Sequence, residues 1–408
     1  MNSLITGFIL TGAGLVGVLI GLEVYRKNMH IWLWSYLTRR PVRRRDDQLT
    51  HVIFAFCDHF EPQWGGADYE TESQRVDRWC EEYPKLAAKH RDADGCPPRH
   101  SFFYPEEEYR EEHLARLADL CRDGFGEIEI HLHHDRDTAE GLRDKITGFL
   151  DTLDTTHGAV AKDSRQGTYQ FAFIHGNWAL DNSRKDGRWC GVNNELAVLA
   201  DLGCYVDMTL PSAPSDTQTR KINSIYYAKG RNGCSKSHDT GIDVEVGRPE
   251  SGDLMILQGP LCLNWRDRKY GLLPRIENSD IRASSPPTPE RVDLWVDCAI
   301  HVKGRPQWRF VKIHTHGTQE GDIDSLLGNP VDDMFSYLEE NYNDGQKYAL
   351  HYVSAREMFN IVKAAEAGET GDPGLYRDYR IQPPAYLRKS EDQVDTVSEV
   401  NRSEVNQC

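Results

Sequence analysis

GEIEIHLHHD (126–135) reads first as a buried strand and then as a knot of imidazoles. Three of the chain's 16 histidines, His131, His133 and His134, fall within four residues, and Asp135 follows at once. Side chains of a strand alternate with a period of two, so His131 and His133 point to one face. If the chain turns after His131, Asp135 comes round beside it instead. Metal-capable groups at the end of a strand make the pattern on either side worth reading for more such ends.

Strand-like and helix-like segments alternate outward from this stretch. HVIFAF (51–56) precedes the helical ESQRVDRWCEEYPKLAAKH, and HSFFY (100–104) precedes EEEYREEHLARLADLCRD. EIEIHLH precedes TAEGLRDKITGFLDTL, and TYQFAFIH precedes NNELAVLADLG. CYVDMTL, DLMILQG, PERVDLWVDCAIHV, WRFVKIHTH, KYALHYV and SAREMFNIVKAAEAG continue the series. Such alternation predicts an α/β fold with a parallel sheet. Polar residues stand at the ends of many strands: Asp58 and His59, His131 to Asp135, His175 and Asn177, Asn264 and Trp265, His314 and His316. An open doubly wound sheet would gather them at one switch point beside a Gly-rich phosphate loop, and no such loop is visible. A distorted, TIM-like (β/α)7-8 barrel over residues 48–368 is therefore expected. Residues 211–250, rich in Ser, Thr, Gly and Asn, are expected as a loop insertion over its mouth. The polar tail, 387–408, is expected to be disordered.

The N-terminal segment has another composition. No charge occurs between Asn2 and Leu22, and the run is about long enough to cross a ~30 Å hydrocarbon core as a helix. Residues 3–25 are expected as a transmembrane anchor in contact with membrane lipid, and 26–47 as a basic juxtamembrane segment. Seven Lys or Arg residues follow the run by residue 45 and none precedes it, which predicts a single-pass protein with a cytoplasmic body. Residues 1–45 carry a net charge of +6 against −16 for the whole chain, so the rest carries −22. So acidic a body excludes a nucleic-acid footprint and favours a neutral or N-acylated glycan over a polyanion. The ten cysteines are scattered without a CxxC pair, so neither a disulfide framework nor a zinc finger is indicated.

Three strand ends offer ligands for a divalent metal: FCDHFEP (56–62), HLHHD (131–135) and IHTHG (313–317). A lone histidine at a strand end more often serves as a structural hydrogen-bonder. Three such clusters at strand C-termini favour a metal site. Trp64, Trp178, Trp189 and Trp265 suit either a sugar subsite or ordinary packing.

These segments resemble the motifs of polysaccharide deacetylases, in the glycoside hydrolase/deacetylase barrel group. FCDHFEP is similar to the family's Thr-Phe-Asp-Asp-Gly-Pro, which implies Asp58 as catalytic base and His59 as metal ligand. EIEIHLHHD is similar to Glu-Ile-x-x-His-Thr-x-x-His, which implies His131 and Asp135 as the remaining ligands. VKIHTHG resembles the closing strand that ends in Leu-His, which implies His314 as general acid. ELAVLADLGCYVDMTLPS (195–212) resembles the family's helix–Leu-Gly–strand segment. The resemblance spans residues 50–320. His stands in place of Asp at 59 and Asp in place of His at 135, which keeps two imidazoles and one carboxylate. HGNWALDN (175–182) stands where the family has Arg-x-Pro-Tyr.

The resemblance implies a metal-dependent hydrolase, with zinc the expected cofactor, that removes an N-acetyl group from a glycan; the body's expected orientation suggests a lipid-linked one. Asp58 would take a proton from water and His314 would protonate the departing amine. His175, Asn177, Trp178 and His316 are expected at the substrate. Two alternatives stand beside it. The His-x-His pairs suit an amidohydrolase-type metal hydrolase, and the altered motifs suit a membrane-anchored glycan-binding protein without catalysis.

Overall fold

β1 (Thr50–His59) is buried along its whole length, and every other principal strand is placed relative to it. The computed structural model describes residues 17–18, 20–163, 166–231 and 233–387. β2 (His100–Pro105), β3 (Gly126–Leu132), β4 (Tyr169–His175) and β5 (Cys204–Asp207) follow in the chain. After them come β6 (Ile225–Ala228), β7 (Leu254–Leu257), β8 (Trp308–Thr315) and β9 (Tyr348–Val353). One edge of β1 pairs with β8 in parallel, from His51 with Trp308 to Asp58 with Thr315. The other edge is shared: Thr50–Ala55 pairs with β9, and Phe56–His59 with β2. The parallel ladder then runs β2–β3–β4–β5–β7.

A mixed α/β architecture with a large, mostly parallel sheet is what the alternating pattern predicts. The closed ring is not shown. Among the described residues β7 pairs with β5 and, antiparallel, with β6, and no ladder joins it to β8. β6 comes from the segment expected to be a loop. Its IYYA core is fully buried in spite of its Ser- and Thr-rich flanks, because aromatic and β-branched residues suit a covered strand.

Period-two alternation divides β1 between two cores. Val52, Phe54 and Phe56 enter one with Val76, Trp79, Tyr83 and Leu86 of the helix Tyr69–Ala87, whose spacing lines one helical face. Leu114 and Leu117 of Glu111–Arg122, and Leu142, Ile146 and Phe149 of Ala139–Thr152, join that core. Ile53, Ala55 and Cys57 enter the other core, with Ile174, Val206, Leu257 and Phe310.

The second core also takes in the helix Ala355–Ala367, buried at every residue from Ala355 to Glu366. A helix covered all round must neutralise its own charges. Arg356 meets Glu127 at 2.7 Å, Glu357 pairs with Arg99, and Lys363 pairs with Glu366. Ser354 and Glu357 cap its start reciprocally.

No helix among the described residues is long and apolar enough to cross a membrane. The expected span, 3–25, lies for the most part outside those residues, as does the tail beyond Leu387. The expected juxtamembrane segment, 26–47, contains the helix Met29–Thr38. It docks on the body: Trp32 is fully buried among Ala213, Ile222, Leu261 and Leu263, while Trp34 is 75% exposed.

Candidate metal centre

The strand period sends Asp58 and His59 to opposite faces of β1. Asp58 is sealed within the protein, where its carboxylate accepts the Gly317 backbone N–H at 2.6 Å and His100 Nε2–H at 2.9 Å. Trp79 Nε1 donates to the Gly317 carbonyl at 2.8 Å. Asp58 thus fastens the turn after β8 to the sheet, and it is not among the donors that converge with His59 and His131.

His59 turns the other way, into a cluster of rings. Its centroid lies 4.8 Å from His131, 4.7 Å from His316 in a stacked pair, 5.6 Å from Trp178 and 6.3 Å from His314. Burial presses its pKa well below the usual imidazole range, and the rings of His316, His131 and His314 add to that shift.

The carboxylate that joins His59 and His131 is Glu61, two residues along the chain. Donor atoms of His59, Glu61 and His131 lie within 4.8 Å of one another, close to what metal bonds of roughly 2.0–2.2 Å require. Glu61 Oε1 is 3.2 Å from His131 Nε2 and 3.3 Å from His133 Nε2. Burial alone would raise the Glu61 carboxyl, but hydrogen bonds with His131 and His133 outweigh it and hold the group well below the usual carboxylate range. His131 Nδ1 donates to the Ile174 carbonyl at 2.7 Å, which orients the ring and aims Nε2 at Glu61. Two imidazoles and a carboxylate, one ring backed by a carbonyl, could hold a divalent cation.

His133 stands beside the three. Its Nδ1 is 2.6 Å from Glu107 Oε1 in the turn after β2. Burial would lower its pKa, yet hydrogen bonds to Glu107 and Glu61 prevail and push it up to about 10.

A cavity of about 340 Å³ is walled by Trp178 and His314, the two rings that flank His59 on that side, with Ser212, Asn278, Asp280 and Arg282 among its other lining residues. His314 Nδ1, His316 Nδ1 and Asp280 Oδ1 are buried without a hydrogen-bond partner. Unpaired buried polar atoms beside a cavity are groups that a ligand can satisfy. Burial raises the Asp280 carboxyl even though Arg282 pulls against it.

The structure thus brings together His59, His131, His314, His316 and Trp178. It does not bring in Asp135, which is exposed and accepts the Trp189 N–H at 2.6 Å. Asn177 is half-buried in a left-handed turn and does not line the cavity. His175 turns away, its Nε2 2.9 Å from that of His134. Sequence reading passed over Glu61, although His-x-Glu on a strand end puts both side chains on one face. It also passed over Glu107 and Asp280, for which no local pattern exists.

In comparisons with known proteins, no family model and no curated sequence matches the chain.

Proposed function

We propose that the chain is a metal-dependent hydrolase that removes the acyl group from an N-acylated sugar, with His59, Glu61 and His131 as the ligands of one divalent cation. The observation that carries this reading is the convergence of those three donors beside a cavity walled by Trp178 and His314. The three motifs that resemble polysaccharide deacetylases support it, and with them a distorted (β/α) barrel as the finer description of the sheet.

When bound, the cation supplies an acidified water and polarises the acyl carbonyl. The protein's own groups do the rest. The Ile174 carbonyl keeps His131 oriented, and Glu107 keeps His133 beside Glu61. His316, stacked on His59 with Nδ1 free, takes the water's proton in place of Asp58. His314 stands on the cavity wall with Asp280 3.9 Å from its Nε2, and protonates the departing amine. Trp178 offers an apolar face for a pyranose ring.

A membrane-proximal substrate is part of the reading. Trp34 and Leu37 are exposed on the docked helix, and Tyr270 and Leu272 are exposed at the tip of the hairpin Cys262–Lys269/Leu273–Glu277. Lys269 lies 4.0 Å from Glu23, so these apolar groups stand near the end of the segment expected to enter the bilayer, with the body on the cytoplasmic side.

Acetate release from a panel of N-acetylated glycans, measured with zinc or cobalt supplied, tests the proposal. Turnover is expected for the native chain and loss of it for His131→Ala and Glu61→Gln. Glycan binding without release by the metal-loaded chain would instead establish the non-catalytic reading.

A further inference from the structure

A second cluster lies behind the first. His134, His175, Cys190 and Glu195 place one donor atom each within 4.8 Å of the others, and all four residues are buried. We propose that these four side chains form a structural zinc site, separate from the open site of His59, Glu61 and His131.

The hydrogen bonds define the charge each atom presents. His134 Nδ1 lies 3.1 Å from Asp137 Oδ2, and His175 Nδ1 faces the Gly176 carbonyl. Both partners only accept, so both Nδ1 atoms carry the proton. With both rings neutral, as metal ligands must be, each presents a lone pair at Nε2, and these two atoms are 2.9 Å apart. Glu195 Oε1 adds a third acceptor, 3.1 Å from His134 Nε2 and 3.5 Å from His175 Nε2. Cys190 Sγ lies 3.4 Å from Glu195 Oε2 and 3.7 Å from the Val192 carbonyl, both of which accept from a thiol, and the Val192 N–H donates to the sulfur at 3.4 Å. One proton on one imidazole bridges the Nε2 contacts and the thiol proton bridges the sulfur to Glu195, and metal binding would displace both. A cation at the centre attracts all four. Tetrahedral bonds of about 2.0–2.3 Å separate ligands by roughly 3.3–3.7 Å; the imidazole pair at 2.9 Å and the His134–Glu195 pair at 3.1 Å would open slightly, and all four atoms already lie within 4.8 Å of one another.

Donor type and enclosure choose the metal and its role. Two imidazoles, a thiolate and a carboxylate suit zinc. The side chains of His134, His175 and Glu195 have no solvent exposure, and neither has Cys190. With four protein ligands and no opening, the site is closed, which is the structural rather than the catalytic arrangement. Its surroundings are built to hold the ligands. Lys145 backs Asp137 at 2.6 Å, the Asp137 N–H meets the Cys190 carbonyl at 2.8 Å, and the Asp181 N–H meets Glu195 Oε2 at 2.5 Å.

The four ligands come from the turn after β3, the end of β4, the loop after it and the start of the helix Glu195–Asp201. A zinc ion there staples the loop that carries Trp178 against the sheet. Trp178 in turn packs on His59, so the closed site shapes the wall of the open one.

Cobalt replacement in the full chain tests this, because His59, Glu61 and His131 include no sulfur. Two equivalents of cobalt and a near-ultraviolet thiolate-to-cobalt band are expected. Cys190→Ser should lose the band and one equivalent, and His59→Ala should lose the other equivalent and keep the band. Zinc K-edge absorption on the unaltered protein should show one sulfur at about 2.3 Å, which needs no variant to fold. At most one equivalent with no sulfur neighbour, or a band that survives Cys190→Ser, would overturn the proposal. Absence of turnover with the sulfur signal intact would count against the hydrolase reading alone.

Discussion

The Asp58 carboxylate and the His100 imidazole hydrogen-bond at 2.9 Å with neither side chain exposed to solvent. The other carboxylate oxygen holds the Gly317 N–H, so one aspartate ties β1, β2 and the turn after β8 together. A residue that resembles a catalytic base in sequence thus serves in the structure to position His314 and His316.

Asp58→Asn should therefore act on stability and leave metal binding in place. Asparagine can still accept from Gly317 with its one amide oxygen, but then turns its NH2, a donor, toward the His100 N–H. A loss of about 1–3 kcal/mol is expected in urea unfolding. Gly317→Ala should act in the same direction, because its Cβ would run into the Asp58 carboxylate. Unchanged unfolding midpoints together with abolished turnover would return Asp58 to the role of base.

Glu61 and Asp135 should separate cleanly in metal titrations against a chromophoric chelator. Glu61→Gln removes a ligand and is expected to weaken binding at the open site by at least roughly 100-fold. Asp135→Asn should leave the affinity unchanged, since that carboxylate accepts a backbone N–H at the surface. The reverse pattern would show that the sequence alignment with the deacetylase motif is right and the geometry above wrong.

Acid sensitivity should arise at the opposite end of β1. His51 Nδ1 lies 2.9 Å from His351 Nε2, and His351 Nδ1 lies 2.8 Å from Asp94. Burial, then the neighbouring His351, lowers the His51 pKa to about 4, against smaller opposing effects of Asp372 and Asp94. The unfolded chain, with an ordinary histidine near 6.5, binds more protons in that interval. His51 thus adds stability that is present above about pH 6.5 and is lost as pH falls toward 4. Its share is on the order of 2–3 kcal/mol. Unfolding midpoints for His51→Gln should change less between pH 7 and pH 4.5 than those of the native chain; equal changes would remove His51 as the cause.

The buried helix Ala355–Ala367 makes a fourth case. Arg356→Ala leaves Glu127 without its partner in the core and should cost about 3–5 kcal/mol. Glu127→Gln combined with Arg356→Met should recover a large part of that loss, as read from a double-mutant cycle. Additive losses in the cycle would show that the pair contributes nothing as a pair.

The alternation of strands and helices, the parallel sheet and the opposed faces of Asp58 and His59 are all consequences of local periodicity, and local periodicity is written in the chain. So is the pairing of His131 with His133 on one side of β3, which needs only the two-residue repeat. Which carboxylate completes the cluster is another matter. Glu61 stands two residues after His59 and Asp135 two after His133, and only the paths of the two turns, after β1 and after β3, leave Glu61 inside and carry Asp135 to the surface. His134 and His175 meet although 41 residues separate them, because β3 and β4 are neighbours in the sheet. The same holds for the helix Ala355–Ala367, whose amphipathic sequence suggests an outer helix. Its full burial depends on Glu127, Arg99 and Glu366 standing where they neutralise its charges. Residues distant in the chain are matched by packing, and packing has no period to read.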